Sequence, residues 1–247
     1  MGIPKVKFKI ASLETEAQRV FDFREFLIKK FDLKTNSVWK VPFTEEIKKQ
    51  IINANSFNDV KKDLTVHLKN FVTKTKVNLL ELKKEWDKFN NYFFESLRKI
   101  TEQDFKFDEY ECNIIFSHVG HYREGTNQVF VNSENSIRVM VGVCAEEILH
   151  LHYWSIMKEL FRINVSEFIR KNNMVPWKIS EIMPDYFLVE NADLKKFGYF
   201  DKWDRSKGYI WIPEMRRRLD KIWNKRSDFK SFLIESHKEC NIHLQTQ

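Results

Sequence analysis

The chain has 247 residues, 43% of them hydrophobic with 22 Phe and 7 Trp, enough to bury a sizeable core as one large domain or two small ones. Only 6 Gly and 5 Pro point to a helix-rich fold with few tight turns. The net charge of +7 comes without an Arg/Lys block interleaved with aromatics, which argues against a base-stacking nucleic-acid surface, and no window approaches the roughly 18 apolar residues of a membrane span. Cys112, Cys144 and Cys240 are odd in number and widely spaced, with no CxxC pair, so they imply neither a disulfide framework nor a metal knuckle. The first ten residues lack the apolar core of a signal peptide, so the expectation is a cytoplasmic protein.

Lys5, Lys7 and Lys9 alternate with Val6, Phe8 and Ile10, the period of a short amphipathic strand. Ser12 caps a helix whose first turn carries Glu14 and Glu16 and whose buried face runs through Val20, Phe21, Phe23, Phe26, Leu27 and Phe31. From Thr44 to about Thr101 the pattern is helical, with starts at Thr44 and Ser56. A stripe of Leu79, Leu82, Trp86, Phe89, Tyr92 and Phe93 reads as core. Near Tyr110 the period changes. Residues 111–117 and Gln128-Val-Phe-Val-Asn132 are strand candidates, separated by the loop Gly120-His-Tyr-Arg-Glu-Gly125.

A long helix is expected from about Ile137 to Phe161 after the cap residues 133–136. Met174-Val-Pro-Trp punctuates the chain, Ser180-Glu181 opens a segment running to about Phe197, and Gly198 is a C-cap candidate. Pro213 to about His237 reads as one or two basic amphipathic helices, on which Arg216, Arg217, Arg218, Lys221, Lys225 and Arg226 make a basic face. That face is the one feature that favours a nucleic-acid partner, against the simpler reading of a solvated surface.

The chemistry concentrates in Cys144-Ala-Glu-Glu-Ile-Leu-His-Leu-His-Tyr-Trp154. Residues four apart on a helix share a face, so Glu146 and His150 can address one ion with Glu147 beside them. Val139, Met140, Val141, Val143, Ile148, Leu149 and Leu151 make this helix apolar on nearly every side, and such a helix is buried. Adjacent carboxylates inside it are costly unless paired, protonated or bound to a cation. His152 lies about 200° round the helix from His150 and is poorly placed as a co-ligand.

Residues 112–153 resemble the core of zincin-type metallopeptidases, gluzincins in particular, in which an edge strand precedes a helix carrying H-E-x-x-H. Here the matching strand is Gln128–Asn132 and the helix carries Glu146-Glu147-Ile-Leu-His150. The resemblance implies an α+β, mainly helical fold. It divides into a mostly helical N-terminal lobe (1–104), a zincin-like core of small sheet plus active-site helix (105–200) and a helical C-terminal extension (201–247). It also implies a metal held by Glu146, His150 and Glu181, the last matching the third gluzincin ligand from a later helix. Zinc is the ion the resemblance implies. The Glu at position 146, where the family has His, makes a carboxylate-rich shell that tilts preference toward Mn²⁺ or Fe²⁺.

The expected reaction is hydrolysis of a peptide or protein substrate, with Glu147 as general base and His118, His121 or Tyr122 stabilising the oxyanion. Two other classes stay open. One is a catalytically degenerate zincin scaffold acting as a binding protein. The other is a ferritin-like carboxylate protein, of which Glu147-Ile-Leu-His150 would be half of the E-x-x-H pair.

Overall fold

The computed structural model describes residues 2–30, 53–62, 64–65, 79–116, 120–201, 211–242 and 244. The second cap candidate holds locally: Ser56 and Asp59 cap each other, Asp59 N–H donating to Ser56 Oγ at 3.3 Å and Ser56 N–H to Asp59 Oδ2 at 3.0 Å, ahead of helical residues 57–62. The helix start expected at Thr44 lies outside the described residues.

Strand β1 (Lys5–Ile10) leads into helix α1 (Leu13–Lys30), where Ser12 Oγ accepts the Thr15 N–H at 3.1 Å. Helix α2 (Leu79–Thr101) buries Leu82, Trp86, Phe89, Phe93 and Leu97 along one face, and Tyr92 of the expected stripe is exposed. The Trp86 ring meets Phe89 and Phe93 edge-on, each at 5.6 Å between centroids. Fully burying such a side chain is worth about 1.5–3 kcal/mol, so the stripe, Tyr92 apart, serves mainly as core.

Strand β2 (Glu109–Ile115), the short β3 (His121–Tyr122) and β4 (Gln128–Asn132) complete a sheet of order β1-β2-β4-β3. β1 and β4 run parallel to β2, whereas β3 is antiparallel to β4. This corrects the placing of Gln128–Asn132 at the edge: it is an interior strand, and the edge is His121–Tyr122. The physical cause is the hairpin between them, in which Gly125 takes a left-handed φ of 77° and Arg123 N–H donates to Gln128 O. Because β1 is hydrogen-bonded to β2, the first strand belongs to the central sheet.

Helix α3 (Ile137–Phe161) matches its expected bounds, with Ser136 Oγ accepting from Val139 N–H at 3.4 Å and Arg162 closing it in the left-handed region at φ 50°. It packs between β4, β3 and α2, facing the sheet side that carries Cys112, Ile114, Val129 and Val131. The opposite sheet face carries Ile115 and Phe130, and the Arg19 guanidinium from α1 lies 4.6 Å from the Phe130 ring centroid.

Helix α4 (Val165–Lys171) precedes α5 (Val175–Pro184), which brings Glu181 to α3. Ser180 therefore does not start this helix. It begins five residues earlier, with Pro176 in its first turn, where a missing N–H costs nothing. A π-helical turn (Asp185–Val189) and helix α6 (Ala192–Lys195) follow, and Gly198 takes φ 67° with its N–H on Lys195 O. The C-terminal stretch forms two helices, α7 (Ile212–Lys225) and α8 (Phe229–Glu239), the second opened by an Asp228–Ser231 capping box. The fold is thus α+β and mainly helical around a small mixed sheet. Among the described residues no helix is long and apolar enough to cross a membrane.

Candidate metal centre

Two helices supply the site. α3 carries Glu146 and His150 one turn apart, and α5 lays Glu181 against them. One ligand atom from each of the three lies within 4.8 Å of the others, the one such group among the described residues. His150 Nε2 and Glu181 Oε1 are 3.7 Å apart. Two ligands each about 2.1 Å from one ion, at a tetrahedral angle, sit about 3.4 Å apart, so this pair already spans close to the required edge. His150 is 3% exposed and Glu181 8%, and both sit among core side chains that include Ile148, Leu149, Ile179 and Ile182. One imidazole and two carboxylates are a donor set that Zn²⁺, Mn²⁺ and Fe²⁺ accept. The residues present fit a divalent cation.

Glu147 stands outside this group, although it is also only 8% exposed. Gly120, the residue before β3, approaches it so closely that a Cβ there would lie 3.1 Å from Glu147 Oε1 and 2.2 Å from Val143 Cγ1. Glycine at 120 is what lets the edge strand lie against α3 beside this carboxylate. Next along, Tyr122 stacks on the His150 ring, with centroids 5.4 Å apart and an interplanar angle of 30°. Its Oη accepts the Trp154 Nε1–H at 2.8 Å. Burial, reinforced by the charges of Glu181 and Glu147, pushes the Tyr122 phenol well above its ordinary pKa, so it stays protonated as a donor.

The register separates Tyr122 from His121. Tyr122 pairs with Val129, on the sheet face toward α3, whereas His121 pairs with Phe130, on the face toward α1. Directly opposed residues of an antiparallel pair share a face, so Tyr122 and not His121 looks toward the triad. His118 lies outside the described residues. His152 turns away as its helical position requires: it is buried, its Nε2 is 3.1 Å from Thr101 Oγ1, and its ring packs 4.5 Å from Phe105. Desolvation drives its pKa down to about 3.

Trp154 is the site feature least visible in sequence. An aromatic four residues after His150 is a faint signal, because it also fits core packing.

Two of the six cations on the basic face, Arg216 and Arg218, are paired with carboxylates. Arg216 pairs with Asp185 at 3.2 Å, with Asp220 at 3.0 Å and with Glu190, while Arg218 reaches Glu239 at 3.4 Å. The Arg226 guanidinium lies 3.5 Å from the Trp223 ring centroid. Arg217, Lys221 and Lys225 remain exposed. No family model, no curated protein and no solved structure matches the chain.

Proposed function

We propose that the protein is a metal-dependent hydrolase of zincin type acting on peptide bonds. The observation that carries this reading is the convergence of Glu146, His150 and Glu181 from two helices, with Glu147 next in sequence yet outside the ligand set.

A divalent ion held there supplies Lewis acidity toward a carbonyl oxygen and toward water. Glu146, His150 and Glu181 would hold it, with the two carboxylates offsetting its charge. Glu147 takes the proton that water sheds as it attacks, then returns it to the departing amine. The protonated Tyr122 phenol donates to the oxygen that gathers negative charge. Gly120 brings the backbone of the edge strand β3 close beside Glu147. The apolar surroundings of α3 keep the dielectric low, which strengthens each of these interactions.

Glu146 favours one second reading, a scaffold that retains the fold and binds without turning over. Its carboxylate adds negative charge to the shell, which opposes deprotonation of water and lowers reactivity relative to a His-rich shell. The four-stranded sheet against α3, and a single E-x-x-H, weigh against a ferritin-like bundle.

The test is hydrolysis of a peptide library by protein reconstituted with Zn²⁺, Mn²⁺ or Fe²⁺. Cleavage that a chelator abolishes and the ion restores is the expected result. Stoichiometric metal binding without cleavage under any of the three ions supports the binding scaffold instead.

A further inference from the structure

The hydrogen bonding of Tyr122 is half complete. Its Oη accepts from Trp154, and among the described residues nothing accepts its own O–H. A phenol oxygen offers one proton and up to two acceptor positions. Trp154 fills one acceptor position, so the proton turns away from the indole. Two contacts then fix the phenol: the stack on His150 sets the plane of the ring, and the indole N–H sets the oxygen within it.

Trp154 is well built for this. It follows His150 by one helical turn and so lies on the same face of α3. It is 2% exposed, and Tyr153 braces its ring edge-on, centroids 4.8 Å apart and planes at 83°. A buried indole N–H needs a partner, and the phenol across on β3 is the one it has. Accepting that bond polarises the phenol and makes it a stronger donor.

We infer that Trp154 is a positioning residue, whose indole N–H holds Tyr122 Oη and aims the phenol proton into the metal centre, for the oxyanion of a carbonyl-derived ligand. The inference rests on the proposed function for the identity of that ligand, but not for the geometry of the pair.

The test is a double-mutant cycle read by binding. Protein loaded with Co²⁺ is titrated with acetohydroxamate, followed by the cobalt absorption bands. Tyr122→Phe and Trp154→Phe should each weaken the hydroxamate by about threefold to tenfold, the worth of one hydrogen bond, without changing metal content. The double variant should lose no more than Tyr122→Phe alone, because Trp154 acts through that hydroxyl. Additive losses, or full affinity in Trp154→Phe, overturn the inference.

If Trp154→Phe does not fold, the ¹⁵N–¹H spectrum of the indoles decides. The Trp154 resonance should be protected from solvent exchange in the wild type and should shift and exchange faster in Tyr122→Phe. An unchanged resonance overturns the inference. Absence of Co²⁺ binding by the wild type counts against the proposed function and leaves the indole resonance to decide for or against the Trp154–Tyr122 pair.

Discussion

Glu181 Oε1 lies 3.7 Å from His150 Nε2, although the two come from different helices with all of α4 between them in sequence. Helix α3 can place two ligands by itself through its own periodicity. The third needs α5 to dock, and α5 docks through Ile179, Ile182 and Met183, all buried in the same core as α3. Hydrophobic packing thus carries a carboxylate to a place it would not choose alone.

If Glu147 is the base and not a ligand, Glu147→Gln separates binding from chemistry. The variant keeps size and hydrogen bonding but cannot take a proton. It should bind one metal ion as the wild type does while losing hydrolysis by about 10²–10⁴-fold. Metal content and single-turnover kinetics on the same preparation check this, and equal activity in the two proteins would reject the assignment.

Gly120→Ala probes the close approach of β3 to α3. The new methyl would collide with Val143 Cγ1, a β-branched side chain with little rotamer freedom on a helix, and press on Glu147 Oε1 and on Phe130 O at 3.4 Å. Overpacking of this kind costs about 1–3 kcal/mol. Urea denaturation should show that loss, and Val143→Ala in the same chain should recover part of it by vacating the space. Additive destabilisation by the two substitutions would mean that the strain lies elsewhere.

Much of this was legible in the sequence. The bounds of α3 follow from an apolar run after a serine cap, and its burial follows from having no polar face. β1 shows its alternation plainly. β3 does not, because two residues carry no period and its pairing exists only once β4 is in place. The start of α5 was hidden because Met174 takes a left-handed φ of 65° with no side-chain cap bond, which leaves only Pro176 to mark it. Glu181 was reached through the resemblance to a third ligand on a later helix and not through its local pattern, and the partnership of Trp154 with Tyr122 depends on how the sheet edge meets the helix.

Acid should unfold the protein partly through a histidine remote from the site. His237 is buried on α8, its ring 5.8 Å from Phe168, with Nδ1 donating to Leu233 O at 2.8 Å. Desolvation lowers its pKa from 6.5 to about 4. The native state therefore prefers the neutral ring, and the unfolded chain binds the proton more readily. The associated stability is fully present above pH of about 6.5 and is lost as pH falls toward about 4, by on the order of 3 kcal/mol. Urea midpoints measured across that window should fall with acid, and His237→Phe should flatten the part of the slope due to this residue. A slope unchanged by the substitution would show that the ring titrates normally.

The most direct measurement of the central claim is anomalous diffraction from crystals grown with Zn²⁺, recorded on both sides of the zinc edge. The expected result is one anomalous peak per chain, within about 2.0–2.2 Å of His150 Nε2 and of carboxylate oxygens from Glu146 and Glu181, with Glu147 outside bonding distance. No peak between α3 and α5, or a peak held by other residues, would contradict the metal centre and with it the proposed chemistry.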